Sequence, residues 1–170
     1  MARAYKITSD PFYINGNVTE TGNNTFTEVQ ISAPLDSLNR EGLLVHAVYF
    51  STSQPDSVAN LQSIVECQLT STSKTAIVQA NDANLLAYRE SIIVGGAAEF
   101  SGPHIHDMIA NTDSYVADSV LGIVATDDVF LAVRGFNQTT TKSANVRIVC
   151  SRIQLSADAY AALVTNELSS

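Results

Sequence analysis

A chain of 170 residues with a net charge of −8 is poorly equipped to grip nucleic acid. Its nine basic residues are scattered and no two are adjacent, so no arm or stripe neutralises several phosphates at once. Charged residues make up 15% against a usual share of about 25%, and the Ser-, Thr- and Asn-rich remainder is a surface that loses little on being buried against another protein.

The length suits one domain spanning residues 1–170, large enough to bury roughly 70% of its unfolded surface without a disulfide or metal. The opening segment lacks the apolar run of a secretion signal, so the chain reads as cytosolic in origin or already mature, and Met1 favours the first. No stretch has the apolar length of a membrane span.

Residues 1–34 read as an N-terminal arm or extra strands. Asn15-Gly16 is expected to be a hairpin turn, and Phe12, Tyr13 and Ile14 form an apolar group that needs a partner. Residues 25–33 (TFTEVQISA) alternate in the manner of an edge strand, and residues 34–41 read as a loop. Residues 43–50 (LLVHAVYF) are apolar on both faces and predict a central strand. Gln54-Pro55-Asp56 ends it, with Asp56 or Ser57 expected to cap a short helical turn reaching Leu61. Residues 63–70 predict a strand with Val65, Cys67 and Leu69 inward. Cys67 and Cys150 read as buried free thiols, with a bridge between strands left open.

Residues 75–80 and 85–94 read as strands about a turn at 81–84. From Gly95 to about Ser119 runs the longest irregular region, of a length that points to a functional or interface element. Residues 119–155 hold three apolar runs, read as consecutive antiparallel strands, with Thr126-Asp127-Asp128 as a hairpin turn between the first two. Ser156 is placed to cap a final helix, with Leu155 and Tyr160 spaced as a hydrophobic staple. Tyr160, Leu163 and Val164 form the apolar stripe of that helix; Asp158, Thr165, Asn166 and Glu167 are expected on its solvent side.

The pattern predicts an all-β, two-sheet antiparallel sandwich, a single jelly roll with a short C-terminal helix. An immunoglobulin-like sandwich is the alternative, but the chain has no Trp and no tyrosine-corner pattern ahead of Cys150.

The chemistry offered is sparse. His104-Ile105-His106 places two imidazoles at the i, i+2 spacing that lets one strand face share a metal. It resembles part of the metal motif of cupins, but Gly102 lies too close, the following glutamate is missing and no third His follows. His104 and His106 are therefore read as ordinary loop residues, with no metal and no cofactor. Asp113, Asp118, Asp127 and Asp128 lack the fixed loop a Ca²⁺ site needs. No nucleophile elbow, phosphate-binding glycine loop or His-Glu-x-x-His occurs, so no catalytic residue is assigned and the chain is read as a non-enzyme.

The length, the eight-odd strands, the Ser/Thr/Asn-rich loops and the missing secretion signal resemble the small single jelly-roll capsid proteins of viruses. That resemblance implies a structural subunit of a virion, self-associating into a homo-oligomer or shell with other virion proteins as further partners. The expected interface residues are Phe12, Tyr13, Ile14, Tyr160, Leu163 and Val164. One departure is the missing basic arm: residues 1–34 carry only Arg3 and Lys6, so another agent would pack the genome. The competing reading is a lectin-like carbohydrate-binding sandwich, with Tyr13, Tyr49, Tyr88 and Tyr115 available to stack on sugars; a cupin-type metal-binding protein is third.

Overall fold

The computed structural model describes residues 4–95, 104–109 and 120–168. Among them, ten strands run in the order β1 (Tyr5–Ile7), β2 (Phe12–Thr19), β3 (Thr27–Ser32), β4 (Glu41–Thr52), β5 (Gln62–Thr70), β6 (Leu85–Val94), β7 (His104–Ile109), β8 (Gly122–Val124), β9 (Asp128–Phe136) and β10 (Ser143–Leu155). One helix, α1 (Ala157–Leu168), closes the order.

Two antiparallel sheets result. The first has the order β1-β10-β4-β8, with β2 also paired to β10, so that β1 and β2 share that strand's length. The second has the order β3-β9-β5-β6-β7. From β2 to β5 the chain switches sheet at each step, and it does so again from β8 to β10. Sheet orders 2-10-4-8 and 3-9-5-6 are those of a jelly roll, and the all-β sandwich expected from the sequence is the fold found.

Period-two alternation explains the layers. In β2, Phe12, Ile14 and Val18 turn toward the core while Tyr13, Asn15, Asn17 and Thr19 face out. Val45, Val48 and Ile148 of the first sheet meet Val65, Cys67, Leu69, Leu131 and Val133 of the second in one core. The sheets meet there face to face, each leaving an outer surface.

Several local expectations are corrected. Asn15-Gly16 is not a turn but the middle of β2; a Cβ on Gly16 would run into the side chain of Ile31, so the glycine serves packing between the sheets. The Asp127-Asp128 link is not a hairpin, because β8 pairs with β4 in one sheet and β9 with β3 and β5 in the other. Residues 75–80 form no strand: they lie over the second sheet, where buried Gln68 donates to the Ala76 carbonyl (3.2 Å) and accepts from the Val78 N–H (2.7 Å). Asp56 caps no helix. His104–Ile109, expected within an irregular loop, is the edge strand β7, with His104 in register with Ile92 and His106 with Glu90.

Candidate functional site

Three regions could carry function: one end of the sandwich, built from loops, and the two outer faces of the sheets, built by strand alternation. The end of the sandwich where β2 leads to β3, β4 to β5 and β9 to β10 is a polar knot. The Lys142 side chain is 4% exposed and its ammonium lies 2.6 Å from the Asp56 carboxylate, which also accepts from the N–H groups of Thr139 (2.9 Å) and Thr140 (3.1 Å). Burial opposes ionisation of Asp56, yet Lys142 and the Thr139 and Thr140 donors together hold the carboxyl well below the usual carboxylate range. Glu20, also buried, accepts from the N–H groups of Gly135 (2.6 Å) and Lys142 (2.8 Å). Every charge in this knot is consumed by backbone or by its neighbour, which marks it as a fastening of three loops.

The outer face of the first sheet is divided by a β-bulge. Val149 stands opposite Ala47 and Cys150 opposite Val45, which leaves His46 as the extra residue; its Nε2 shares a 2.9 Å hydrogen bond with Ser151 Oγ. On one side of the bulge, Leu44, Ile153 and Leu155 are covered by Tyr160, Leu163 and Val164 of α1. Ser156 Oγ accepts from the Ala159 N–H (3.3 Å), so the cap and staple read from the sequence are both present. Glu167, expected in solvent, is buried instead and accepts from the N–H groups of Ala125 (3.1 Å) and Thr126 (2.9 Å). Burial pushes its carboxyl up, against the pull of those donors.

On the other side of the bulge the face is open. Tyr13 is 65% and Tyr49 50% exposed, and between them Arg147 lies on the central strand in register with Asn15 and Tyr49. They line a shallow groove of about 670 Å³ with Ser51 and Asn145. The Arg147 guanidinium carbon sits 5.5 Å from the centre of the Tyr13 ring, and its Nε donates to Asn15 Oδ1 (3.2 Å).

The second sheet's outer face carries an apolar row. Phe136, Ile64 and Ile92 stand side by side on β9, β5 and β6, and Val94 lies two residues beyond Ile92 on the same face. Phe136 is 47% and Val94 42% exposed. The next row holds Arg134, Glu66 and Glu90, and beyond it Tyr88 is buried and donates to the Glu66 carboxylate (2.8 Å). Burial and the Glu66 charge push the Tyr88 phenol far above its ordinary range.

The structure thus separates the residues expected at an interface. Tyr160, Leu163 and Val164 pack on their own sandwich, Phe12 and Ile14 pack against its core, and Tyr13 alone of the six projects into solvent. Of the four tyrosines weighed for sugar stacking, Tyr13 and Tyr49 share one groove, Tyr88 is buried, and Tyr115 lies outside the described residues. The side chains of His104 and His106 lie outside them too, as do Asp113 and Asp118. Among the described residues no group of three His, Cys, Asp or Glu side chains is placed to hold a metal. Cys67 and Cys150 are both buried, on different sheets and not joined in a disulfide, and burial raises the Cys150 thiol to about 11 against the pull of Arg152. Sequence reading missed Arg147, Asn15 and the Phe136 row. The signal was there in the alternation of each strand, but only cross-strand register joins its pieces.

No protein-family model matches the chain, and no curated protein matches it. Among solved structures, one from Desmodium yellow mottle tymovirus is similar over 86% of this chain and 87% of that chain, at 11% identity and a TM-score of 0.28. The jelly-roll assignment rests on strand order and not on that superposition. Among the described residues no helix is long and apolar enough to cross a membrane.

Proposed function

We propose that this chain is a structural subunit of a viral particle, a capsid or capsid-associated protein that assembles with copies of itself. Its role is architectural and not catalytic, and its location is the virion. The observation that carries this reading is the apolar row of Phe136, Ile64, Ile92 and Val94 on the outer face of a jelly roll, with Phe136 and Val94 exposed and Ile64 and Ile92 half-buried. Contiguous apolar surface that a chain leaves uncovered marks a contact with another protein. The low charge of the whole supports the same reading, since few strongly hydrated groups must be desolvated when copies meet. The sequence pattern shared with small single jelly-roll capsid proteins supplies the viral half of the proposal.

The mass of the purified protein in solution, with negative-stain images, tests it. Rings, shells or a discrete oligomer are expected. Protein that stays monomeric at high concentration in both low and high salt overturns the assembly reading. That outcome favours the lectin-like module, which has one observation of its own in the groove between Tyr13 and Tyr49.

A further inference from the structure

We infer that the open groove on β2, β10 and β4 is a binding site for a saccharide bearing a single carboxylate, with Arg147 taking the carboxylate and Tyr13 and Tyr49 flanking the sugar ring. The site stands whether the chain is a shell subunit or a free module.

The argument starts from how Arg147 is held. Its guanidinium lies 5.5 Å from the centre of the Tyr13 ring, and its Nε is committed to Asn15 Oδ1 at 3.2 Å. Among the described residues, no hydrogen bond or ion pair occupies either terminal amino group, although the side chain is exposed. A guanidinium fixed at one edge, with its two terminal amino groups unspent, is a preorganised fork for a planar anion. In a chain of net charge −8, the described residues line this groove with one cation and no carboxylate. The complementary ligand therefore carries a single negative charge.

The rest of the lining selects among singly charged ligands. Tyr49, and Tyr13 with Arg147 against one side of its ring, are both exposed and offer aromatic surface of the kind on which the apolar C–H face of a pyranose packs. Asn15, Asn145 and Ser51 supply neutral donors and acceptors on neighbouring strands, matched to hydroxyl groups. A polyphosphate or nucleic acid would call for several cations in a line, and the described residues give the groove one. Its volume of about 670 Å³ suits a short oligosaccharide.

Saturation-transfer NMR on the full chain as purified tests this, because the method reads small ligands on monomer and particle alike. The probes are sialyllactose, lactose as its neutral counterpart, and acetate as the bare carboxylate. Transfer to sialyllactose is expected, with none to lactose and no effective competition by acetate. Arg147→Gln should weaken binding about tenfold or more. Arg147→Lys, which keeps the charge and loses the fork, should forfeit most of the same affinity. Tyr49→Phe should bind like the parent and Tyr49→Ala should not. All these positions are exposed, so unchanged unfolding midpoints certify the variants. Absence of transfer to sialyllactose overturns the proposal, as does lactose binding equally well. So does an Arg147→Gln variant as tight as the parent, or acetate displacing the sugar as readily as sialyllactose itself.

Discussion

Each sheet of this sandwich turns an apolar patch outward, and the chain treats the two patches differently. On the first sheet, Leu44, Ile153 and Leu155 lie under Tyr160, Leu163 and Val164 of the terminal helix. On the second, Phe136 and Val94 are exposed and Ile64 and Ile92 half-buried, and, among the described residues, 75–80 reach the face only near Gln68. The first follows alternation along β10, with Ile153 and Leu155 two residues apart, whereas the second is assembled across strands by the register of β9, β5 and β6. The difference, among the described residues, is whether a segment lies on top. Where it does, the patch belongs to folding; where it does not, the patch is left for a partner.

Removing the cover is the strongest test of that distinction. Deletion of residues 156–170 strips three apolar side chains from their partners and bares three more. Full burial of each such side chain stabilises by roughly 1.5–3 kcal/mol, and a whole domain has only about 5–15 kcal/mol to lose. The truncated chain is expected to unfold or aggregate, read by circular dichroism and light scattering. A folded truncated monomer from an oligomeric parent would reverse the assignment and make α1 an intersubunit clamp. Leu163→Ala is the milder version and should lower stability by about 2 kcal/mol in denaturant unfolding.

The opposite result is expected on the second sheet's patch. Phe136→Asp places a charge where a second copy would have to desolvate it, so association should fall by orders of magnitude in sedimentation velocity. Fold stability should change by no more than about 0.5 kcal/mol, because the site is exposed. A variant that assembles like the parent would show that the second sheet's outer face is not the contact.

The sandwich was legible in the sequence because alternation within a strand is a local signal. The helix cap was equally local: Ser156, Leu155 and Tyr160 lie within six residues, and all three are where their spacing puts them. Sheet membership was not legible. Residues 119–155 look like a meander, but β8, β9 and β10 alternate between sheets, a fact carried by contacts with β3, β4 and β5 far away in sequence. Asn15-Gly16 misled for the same reason. The dipeptide favours a turn in isolation, yet the close approach of Ile31 needs a glycine in the middle of a strand. Of the candidate sites, the tyrosines were visible as residue types, whereas Arg147 joins Tyr13 and Tyr49 only through the register of β2 and β4 on β10.

A finer test concerns how the cover is latched. Glu167→Ala leaves the N–H groups of Ala125 and Thr126 without their acceptor and should cost about 1–3 kcal/mol. The pH dependence has a definite sign. The folded carboxyl is raised above its unfolded value, so the folded state keeps a proton at pH values where the unfolded chain has lost it. The contribution of this group is therefore greatest below the ordinary carboxylate range and declines as pH rises through the raised value. Glu167→Gln, which retains a carbonyl acceptor and cannot ionise, should flatten that decline in urea unfolding measured across the range. A slope identical in parent and Glu167→Gln would mean that the latch does not titrate as its burial requires.

The smallest expected effect is that of salt on association, and its smallness is the informative part. If copies meet through Phe136, Ile64, Ile92 and Val94, the contact holds no ion pair for salt to screen. The nearest charged row, Arg134 with Glu66 and Glu90, carries a net charge of −1 on each copy, from one cation and two carboxylates. Two such rows repel weakly when the faces meet, and the chain as a whole is at −8. Raising NaCl shortens the Debye length from about 30 Å at 0.01 M to about 10 Å at 0.1 M, which relieves both repulsions. The association constant should therefore hold steady or rise slightly over that range, measured by sedimentation equilibrium. A steep fall with salt would mean that charge pairs drive assembly, and the contact would then have to be sought away from the apolar row on the second sheet.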